Sequence, residues 1–185
     1  MGRKAFVFFT FIFVCLHLNA QNLVMNPSFE EYYQCPTFSY NIEDCKYVFN
    51  PMCTNSQAVG CISTPDYFNA CASVNSNQNV PYAFPGFQSA RNGQAYIGFA
   101  GSTFFREYIQ IQLSESLVQG NTYPFSFYAN LSDYSNITTN QLGLKFVNDS
   151  VLYSQYLWQI MSPDWVSNEY ITDTVDWQLL QGNRG

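Results

Sequence analysis

Three segments in the second half of the chain alternate apolar and polar residues with a period of two. They read "REYIQIQL", "TYPFSFYANL" and "QLGLKFV", and turn-forming stretches such as "RNG" and "QGN" precede or separate them. Such alternation is typical of antiparallel strands that cover a core on one face only. The sequence therefore predicts an all-β fold, an antiparallel β-sandwich. Residues 151–160, "VLYSQYLWQI", fit either a strand or a short helix.

The same alternation assigns side chains to the two faces of each strand. The apolar faces hold Ile109, Ile111 and Leu113, then Tyr123, Phe125, Phe127, Ala129 and Leu131, then Leu142, Leu144 and Phe146. The polar faces present Tyr108 and Gln110 on the first strand, and Tyr128 and Asn130 on the second. If these two strands are neighbours, their aromatic and amide groups form one cluster, and we predict a ligand-binding site there. Because Pro124 has no backbone N–H, we expect its strand to lie at a sheet edge or to contain a bulge.

The first twenty residues have the form of a secretory signal peptide. A basic pair, Arg3 and Lys4, precedes an apolar run, and small residues end at Ala20. The apolar run is shorter than the roughly 20 residues that a membrane-spanning helix needs. We therefore expect cleavage near Ala20-Gln21, secretion or display on the cell surface, and one domain over residues 21–185 without a membrane span.

The chain that follows this leader is acidic and lacks histidine. Removal of the leader leaves five basic residues against thirteen acidic ones, a formal charge of −8 compared with −6 for the whole chain. So few cations make a nucleic-acid partner unexpected. The sole histidine, His17, lies in the leader, which excludes Ser-His-Asp triads and imidazole metal ligands from the mature chain.

Catalysis would therefore have to rely on carboxylates. A glycosidase needs two Asp or Glu residues on either side of a cleft. Glu30, Asp66, Glu107 and Asp133 are the candidates, but nothing in their sequence context marks a pair. We expect a non-catalytic protein.

Five cysteines lie within a stretch of 37 residues after the leader. In an exported protein the default is disulfides, and five cysteines allow two bridges and one leftover thiol. A zinc cluster is the alternative, but the chain has no CxxC pair. Residues 35–71 therefore read as a long loop held by disulfides, whose connectivity the spacing alone does not give.

Several stretches taken together resemble a family of sugar-binding modules. "NLVMNPSFEEY", "ARNGQAYIGFA" and "REYIQIQLSESLVQGNTYPFSFYANLSD" are similar to successive strands of carbohydrate-binding modules with the galactose-binding-like jelly roll. "QCP", "TPDYFNAC" and "REYIQ" further resemble the N-terminal module of secreted or surface proteins of gliding Bacteroidota. In those proteins a gliding-motility-type, type IX sorting or outer membrane protein A-like domain follows. The resemblance covers roughly residues 22–177 and implies a jelly roll that binds carbohydrate, with downstream domains as partners.

The resemblance also implies a disulfide pattern. It pairs Cys35 with Cys71. One further bridge then remains for two of the three other cysteines, Cys45, Cys53 and Cys61. The implied fold is a jelly roll with a cysteine-rich loop at its start.

A structural calcium and an incomplete end are further implications of the resemblance. Glu30 lies at the matching opening position for a calcium ligand, and Asp176 lies near the second one. Relatives continue with a closing strand, whereas this chain ends at "QGNRG". We therefore expect a sandwich that lacks its last strand.

Two functions remain as predictions. The first is a secreted or cell-surface, non-catalytic module that binds carbohydrate. The second is a structural or adhesion domain of a larger gliding-associated surface protein with no sugar site. An exposed aromatic platform surrounded by amides favours the first, and a wholly buried aromatic set favours the second.

Overall fold

The structure, a computed structural model, describes residues 21–53, 63–102, 106–151 and 162–185. Its strands are β1 Val48–Phe49, β2 Asp66–Asn69, β3 Tyr82–Ala83, β4 Gly86–Phe87, β5 Ala95–Gly98, β6 Gln110–Ile111, β7 Tyr123–Ala129, β8 Gly143–Leu144, β9 Trp165–Val166 and β10 Gln178–Arg184. A 3₁₀ helix spans Ile42–Asp44. The ladders of the described chain, β1–β6, β2–β5, β3–β4, β7–β10 and β8–β9, are antiparallel, which confirms the all-β prediction.

Some sequence predictions concern residues that the structure does not describe. The predicted leader, Cys61 and residues 152–161 lie outside the described residues. Within the described ranges, no helix has both the length and the apolar character needed to cross a membrane.

The ladder between β2 and β5 separates two cores. Tyr67 is paired in register with Ile97, and Phe68 with Tyr96. Because neighbouring side chains of a strand point to opposite faces, the first pair enters one core and the second pair enters the other. The first core consists of Ile42, Cys45, Val48, Tyr67 and Ala95, with Phe29, Ile97, Ile109 and Ile111 packed against it. The second core consists of Phe68, Val80, Ala83 and Tyr96, with Ala90 and Trp177 packed against it.

The first alternating segment runs along the first core. Ile109 and Ile111 pack against that core, which confirms the predicted apolar face. The strand is shorter than the alternation predicts, because only Gln110 and Ile111 pair with β1. Tyr47, directly before β1, has a φ of +65°, and further along the segment Leu113 forms a bridge with Val24 instead.

The second alternating segment forms β7, which pairs with β10 over seven residues. Phe125 and Phe127 face Trp165, with ring centroids 5.4 and 6.0 Å from the indole, whereas Ser126 on the opposite face is exposed. The faces are therefore apolar and polar as predicted. No other strand of the described chain pairs with β7, so the edge position accommodates the missing N–H of Pro124.

The cysteines divide into bridged and free ones. Cys35 and Cys71 form a disulfide with their Cα atoms 5.7 Å apart, as the resemblance implied. Cys53 is also disulfide-bonded, whereas Cys45 is free and buried. Burial raises the pKa of the Cys45 thiol to about 12, so the thiol stays protonated at neutral pH. Cys45 is therefore a free thiol, as the cysteine count predicted for one of the five.

Two buried tyrosines give a matched test of the cores. The Tyr67 hydroxyl donates to the carbonyl oxygen of Phe29 and accepts from the side chain of Asn69, both at 2.7 Å. The buried Tyr96 hydroxyl has no hydrogen-bond partner among the described residues. We expect Tyr67→Phe to lower the free energy of unfolding by about 2 kcal/mol, because two partners lose a bond. Tyr96→Phe should leave it unchanged or raise it by up to about 1 kcal/mol, because an unsatisfied hydroxyl is removed.

Chemical denaturation of both variants beside the wild type measures these differences. The two substitutions remove the same atom from neighbouring strands of one ladder, so each is the control for the other. Equal losses in the two variants would contradict the different hydrogen bonding of the two hydroxyls.

Candidate functional site

Glu30 holds the turn that precedes β5. Its Oε1 atom accepts hydrogen bonds from the backbone N–H groups of Gln94 (2.8 Å) and Ala95 (3.0 Å). Gly93 in this turn has a φ of +67°, and a Cβ atom there would overlap the Glu30 carboxylate, so the position requires glycine. The carboxylate that the resemblance implied as a calcium ligand therefore fixes the turn at residues 91–95.

Asp176, the second implied calcium ligand, lies in the turn before β10. Its backbone N–H donates to Oδ1 of Asp173 (2.9 Å), which also accepts from the N–H of Val175 (2.8 Å). These two bonds lower the pKa of Asp173. In the described parts of the chain, no three His, Cys, Asp or Glu side chains lie close enough together to hold a metal. Calcium stays a prediction from the resemblance.

The side chain of Glu107 forms hydrogen bonds to two other segments of the chain. Its Oε1 atom accepts from the backbone N–H and the hydroxyl of Thr64, both at 2.7 Å, and its Oε2 atom accepts from the N–H of Ala100 (2.6 Å). Asp66 accepts from the N–H of Tyr40 (2.7 Å). Burial raises the pKa of Asp66 to about 6, with a smaller contribution from the charge of Glu107. Both carboxylates thus hold backbone amides of other segments.

Asp133 holds the hairpin formed by β3 and β4. Its Oδ2 atom accepts from the N–H of Phe87 (2.8 Å). Gly86 has a φ of +126° and lies directly against Asp133, so a side chain at this position would overlap the aspartate. The Ser132 hydroxyl donates to the carbonyl oxygen of Pro85 (2.6 Å). The hairpin tip is therefore attached to the segment that follows β7.

This hairpin presents aromatic rings to solvent. Ala83 is buried in the second core, whereas Tyr82, Phe84 and Phe87 are 71%, 69% and 52% exposed. The rings of Tyr82 and Phe87, paired in register, meet edge to face with centroids 5.2 Å apart. These three exposed rings are named the aromatic hairpin. Large apolar groups that are held in place and exposed are typical of a binding surface.

Tyr128, a predicted ligand-binding residue, supports an arginine. The guanidinium carbon of Arg91 lies 3.5 Å from the centroid of the Tyr128 ring. On the same strand face, the side-chain amide of Asn130 donates to Oε1 of Gln88. These four residues are named the Arg91 cluster. Because the guanidinium covers one face of the ring, Tyr128 presents Arg91 to solvent on that side.

The other two predicted ligand-binding residues lie in β6 and just before it. Oε1 of Gln110 in β6 accepts from the N–H of Val151 (2.8 Å), and the N–H of Tyr108 donates to the hydroxyl of Ser63 (3.2 Å). Strands β6 and β7 are not paired in the described chain, and no described hydrogen bond or ring contact joins either residue to the Arg91 cluster. The four predicted residues are thus divided between the β6 segment and the β7 segment.

A shallow, open depression of about 560 Å³ continues the polar face of the β7–β10 ladder. Its lining residues are Pro124, Phe125, Ser126, Gln181, Gly182 and Asn183. Register pairs Ser126 with Gln181 and Pro124 with Asn183, and the alternation places these four side chains on the same face as Tyr128. The strand rises about 13 Å between Pro124 and Tyr128. The polar face therefore offers an extended surface lined with amide groups.

Sequence reasoning missed the aromatic hairpin, Gln88 and Arg91. The stretch "RNG" indicated only a turn, and "YAFPGF" belonged to none of the alternating segments. Two signals were available in the sequence. A turn-forming Pro-Gly pair lies between aromatic residues, and basic residues are so few that each arginine is a candidate for a specific role.

Comparisons with family models, curated proteins and solved structures found no match for this chain. The aromatic hairpin, the Arg91 cluster and the depression are therefore the features from which a function is inferred.

Proposed function

We propose that this protein is a non-catalytic carbohydrate-binding module, exported to the cell surface or medium and folded as a jelly roll of the type implied by the resemblance. The observation that carries the proposal is the aromatic hairpin, three exposed rings on a hairpin that Asp133 and the second core hold in place. Such rings stack against the apolar faces of sugars, and nearby polar side chains bind the hydroxyl groups.

The polar groups beside the aromatic hairpin suit a sugar. Gln88 directly follows Phe87, and its side chain accepts from Asn130. Among the described residues nothing donates to Oδ1 of Asn130, so this oxygen is available to a ligand hydroxyl. The depression adds hydroxyl and amide side chains along the same ladder face.

The carboxylates support a non-catalytic role. Glu30, Asp66, Glu107 and Asp133 each accept a hydrogen bond from a backbone N–H of another segment. A glycosidase needs two carboxylates free to protonate the leaving group and to attack or activate water. Carboxylates that hold loops are occupied with a structural task. Export is supported by the disulfide that joins the opening loop to the end of β2.

Binding of the full chain, produced under oxidising conditions, to a panel of glycans and polysaccharides tests the proposal, with and without calcium. The wild type should bind at least one glycan saturably. Tyr82→Ala and Phe87→Ala should each weaken that binding about tenfold, the equivalent of one lost ring contact. Tyr33→Ala is the matched control, because Tyr33 is 73% exposed and contacts Lys46 on the side of the first core.

Three outcomes would count against the proposal or revise it. An equal loss in Tyr33→Ala would show that removing any exposed ring acts through folding. A folded wild type that binds no glycan would reject the proposal and favour a structural or adhesion domain whose rings contact another protein. Binding that survives chelation of calcium would show that the sugar site does not depend on calcium.

A further inference from the structure

Arg91 lies on an aromatic ring and has no ion-pair partner in the described ranges of the chain. Its guanidinium carbon is 3.5 Å from the centroid of Tyr128, and it forms no salt bridge with a carboxylate among the described residues. Lys46 and Lys145, by contrast, each pair with a carboxylate. Arg106 and Arg184 likewise form no salt bridge among the described residues, but only Arg91 has its guanidinium as close as 3.5 Å to the centre of an aromatic ring in that part of the chain.

Stacking on a ring directs the hydrogen-bonding edge of the guanidinium outward. The N–H groups of arginine lie in the plane of the guanidinium, so a group that rests its face on a ring donates around its rim. At 3.5 Å from the centroid the guanidinium lies over the face of the ring, because a group that pointed an N–H at the ring from this distance would push its hydrogen into it. The contact also restricts rotation of the Arg91 side chain, which lowers the entropy lost when it binds a ligand.

We propose that the Arg91 cluster selects acidic sugars, with Arg91 binding the carboxylate of a uronic acid unit. This inference rests on the proposed glycan-binding function and names its ligand class. Two parallel N–H groups of a guanidinium match the two oxygens of a carboxylate. Oδ1 of Asn130, on the same strand face as Tyr128, accepts from a neighbouring sugar hydroxyl, and the aromatic hairpin contacts an uncharged face of the glycan.

The negative charge of the protein does not prevent this interaction. The whole chain has a formal charge of −6, but exposed charges further apart than a Debye length, about 8 Å at physiological ionic strength, are largely screened. The contact with Arg91 acts at hydrogen-bonding distance. A short acidic glycan is therefore recognised by the contact between its carboxylate and Arg91, and the net negative charge of the protein has little effect on this contact.

Calorimetric titration of the full chain with three trimers tests the inference at physiological ionic strength with calcium chelated. The trimers are a linear hexuronic acid, its methyl ester, and a trimer of uncharged sugar units whose only charge is one sulfate ester. The wild type should bind the acid about tenfold more tightly than the ester, because the ester loses one charge-assisted pair. Arg91→Ala should remove this preference and keep the affinity for the ester, and Tyr128→Ala should reduce the preference because Arg91 loses its support.

Arg184→Ala is the matched control. It changes the net charge by the same amount, and its guanidinium lies near Phe146, on the opposite face of the β7–β10 ladder from Tyr128. Its preference for the acid should stay within about twofold of the wild type, because a distant surface charge changes binding little.

The outcomes separate this inference from the proposed function. Equal binding of acid and ester by the wild type, or an unchanged preference in Arg91→Ala, would overturn the inference and leave the glycan site in place. Tighter binding of the sulfated trimer, lost in Arg91→Ala, would overturn the carboxylate in favour of a sulfate ester. Binding of none of the three trimers by a protein that binds other glycans would overturn the acidic ligand class, whereas a folded protein that binds no glycan at all would reject the proposed function itself.

Discussion

Replacing Cys35 and Cys71 together with serine should lower the free energy of unfolding by about 4 kcal/mol. The bridge joins cysteines 36 positions apart, and a cross-link of that length removes this much loop-closure entropy from the unfolded chain. Its place in the fold supports a large effect. Cys71 follows β2 closely, and the side chains of Tyr67 and Phe68 in that strand enter the two cores. The bridge therefore connects the opening loop to the ladder on which both cores depend.

Urea unfolding of the oxidised double variant and the wild type measures this loss. Cys45→Ala is the control, because it removes a free thiol and leaves Cys35 and Cys71 joined; it should cost about 1 kcal/mol through lost packing. Reducing the wild type should destabilise it more than the double substitution does, because Cys53 is disulfide-bonded as well. A loss no larger than that of Cys45→Ala would contradict the prediction.

The faces of the strands were predictable because they depend on strand geometry alone. Ile109 and Ile111 pack against the first core, and Phe125 and Phe127 face Trp165, as the period of two requires. The lengths of the strands were not predictable in this way. A strand ends where its partner changes, and the two partners of this segment, β1 and Val24, belong to parts of the chain that show no alternation.

The residues of the candidate site were predictable only in part, because some of their contacts join segments that are far apart in the sequence. The alternation placed Tyr128 and Asn130 on one face of their segment, and each contacts another member of the Arg91 cluster. That this face binds a ligand stays a prediction. The contact of Arg91 with Tyr128 depends on where a turn lies relative to a distant strand, and no local pattern encodes this. Glu30 determines the position of that turn through hydrogen bonds to Gln94 and Ala95, more than 60 residues along the chain. A carboxylate that accepts from backbone N–H groups produces no recognisable sequence motif. Any residue except proline can supply the N–H, so the residue type of the donor carries no signal.

Glu107→Ala should lower the free energy of unfolding by about 3 kcal/mol. Three hydrogen bonds end on this carboxylate, two from Thr64 and one from Ala100. Each bond to a charged acceptor contributes about 1.5 to 3 kcal/mol when it is buried. The sum is smaller here because the Ala100 N–H is exposed and regains a bond to water, whereas the part-buried Thr64 groups regain less.

Glu107→Gln keeps the shape of the side chain but removes its negative charge, so it tests how much of the stability depends on that charge. The amide oxygen of glutamine still accepts from Thr64, but its NH₂ group would face the N–H of Ala100, donor against donor. We expect about half of the loss seen with alanine, roughly 1.5 kcal/mol. Glu115→Ala, at an exposed glutamate without a described hydrogen bond, should change stability by less than about 0.5 kcal/mol.

The same substitutions carry a second readout at Asp66. The charge of Glu107 contributes to raising the pKa of Asp66 to about 6, so either Glu107 variant should shift that pKa downward, whereas Glu115→Ala should leave it in place. A carboxyl titration followed by NMR measures the shift independently of unfolding. If Glu107→Ala lowers the free energy of unfolding no more than Glu115→Ala does, Glu107 does not hold Thr64 and Ala100 together. If the pKa of Asp66 is also unchanged, the charge of Glu107 does not act on Asp66. A large loss with a downward shift would show that the Glu107 carboxylate both holds Thr64 and Ala100 in place and acts on the pKa of Asp66.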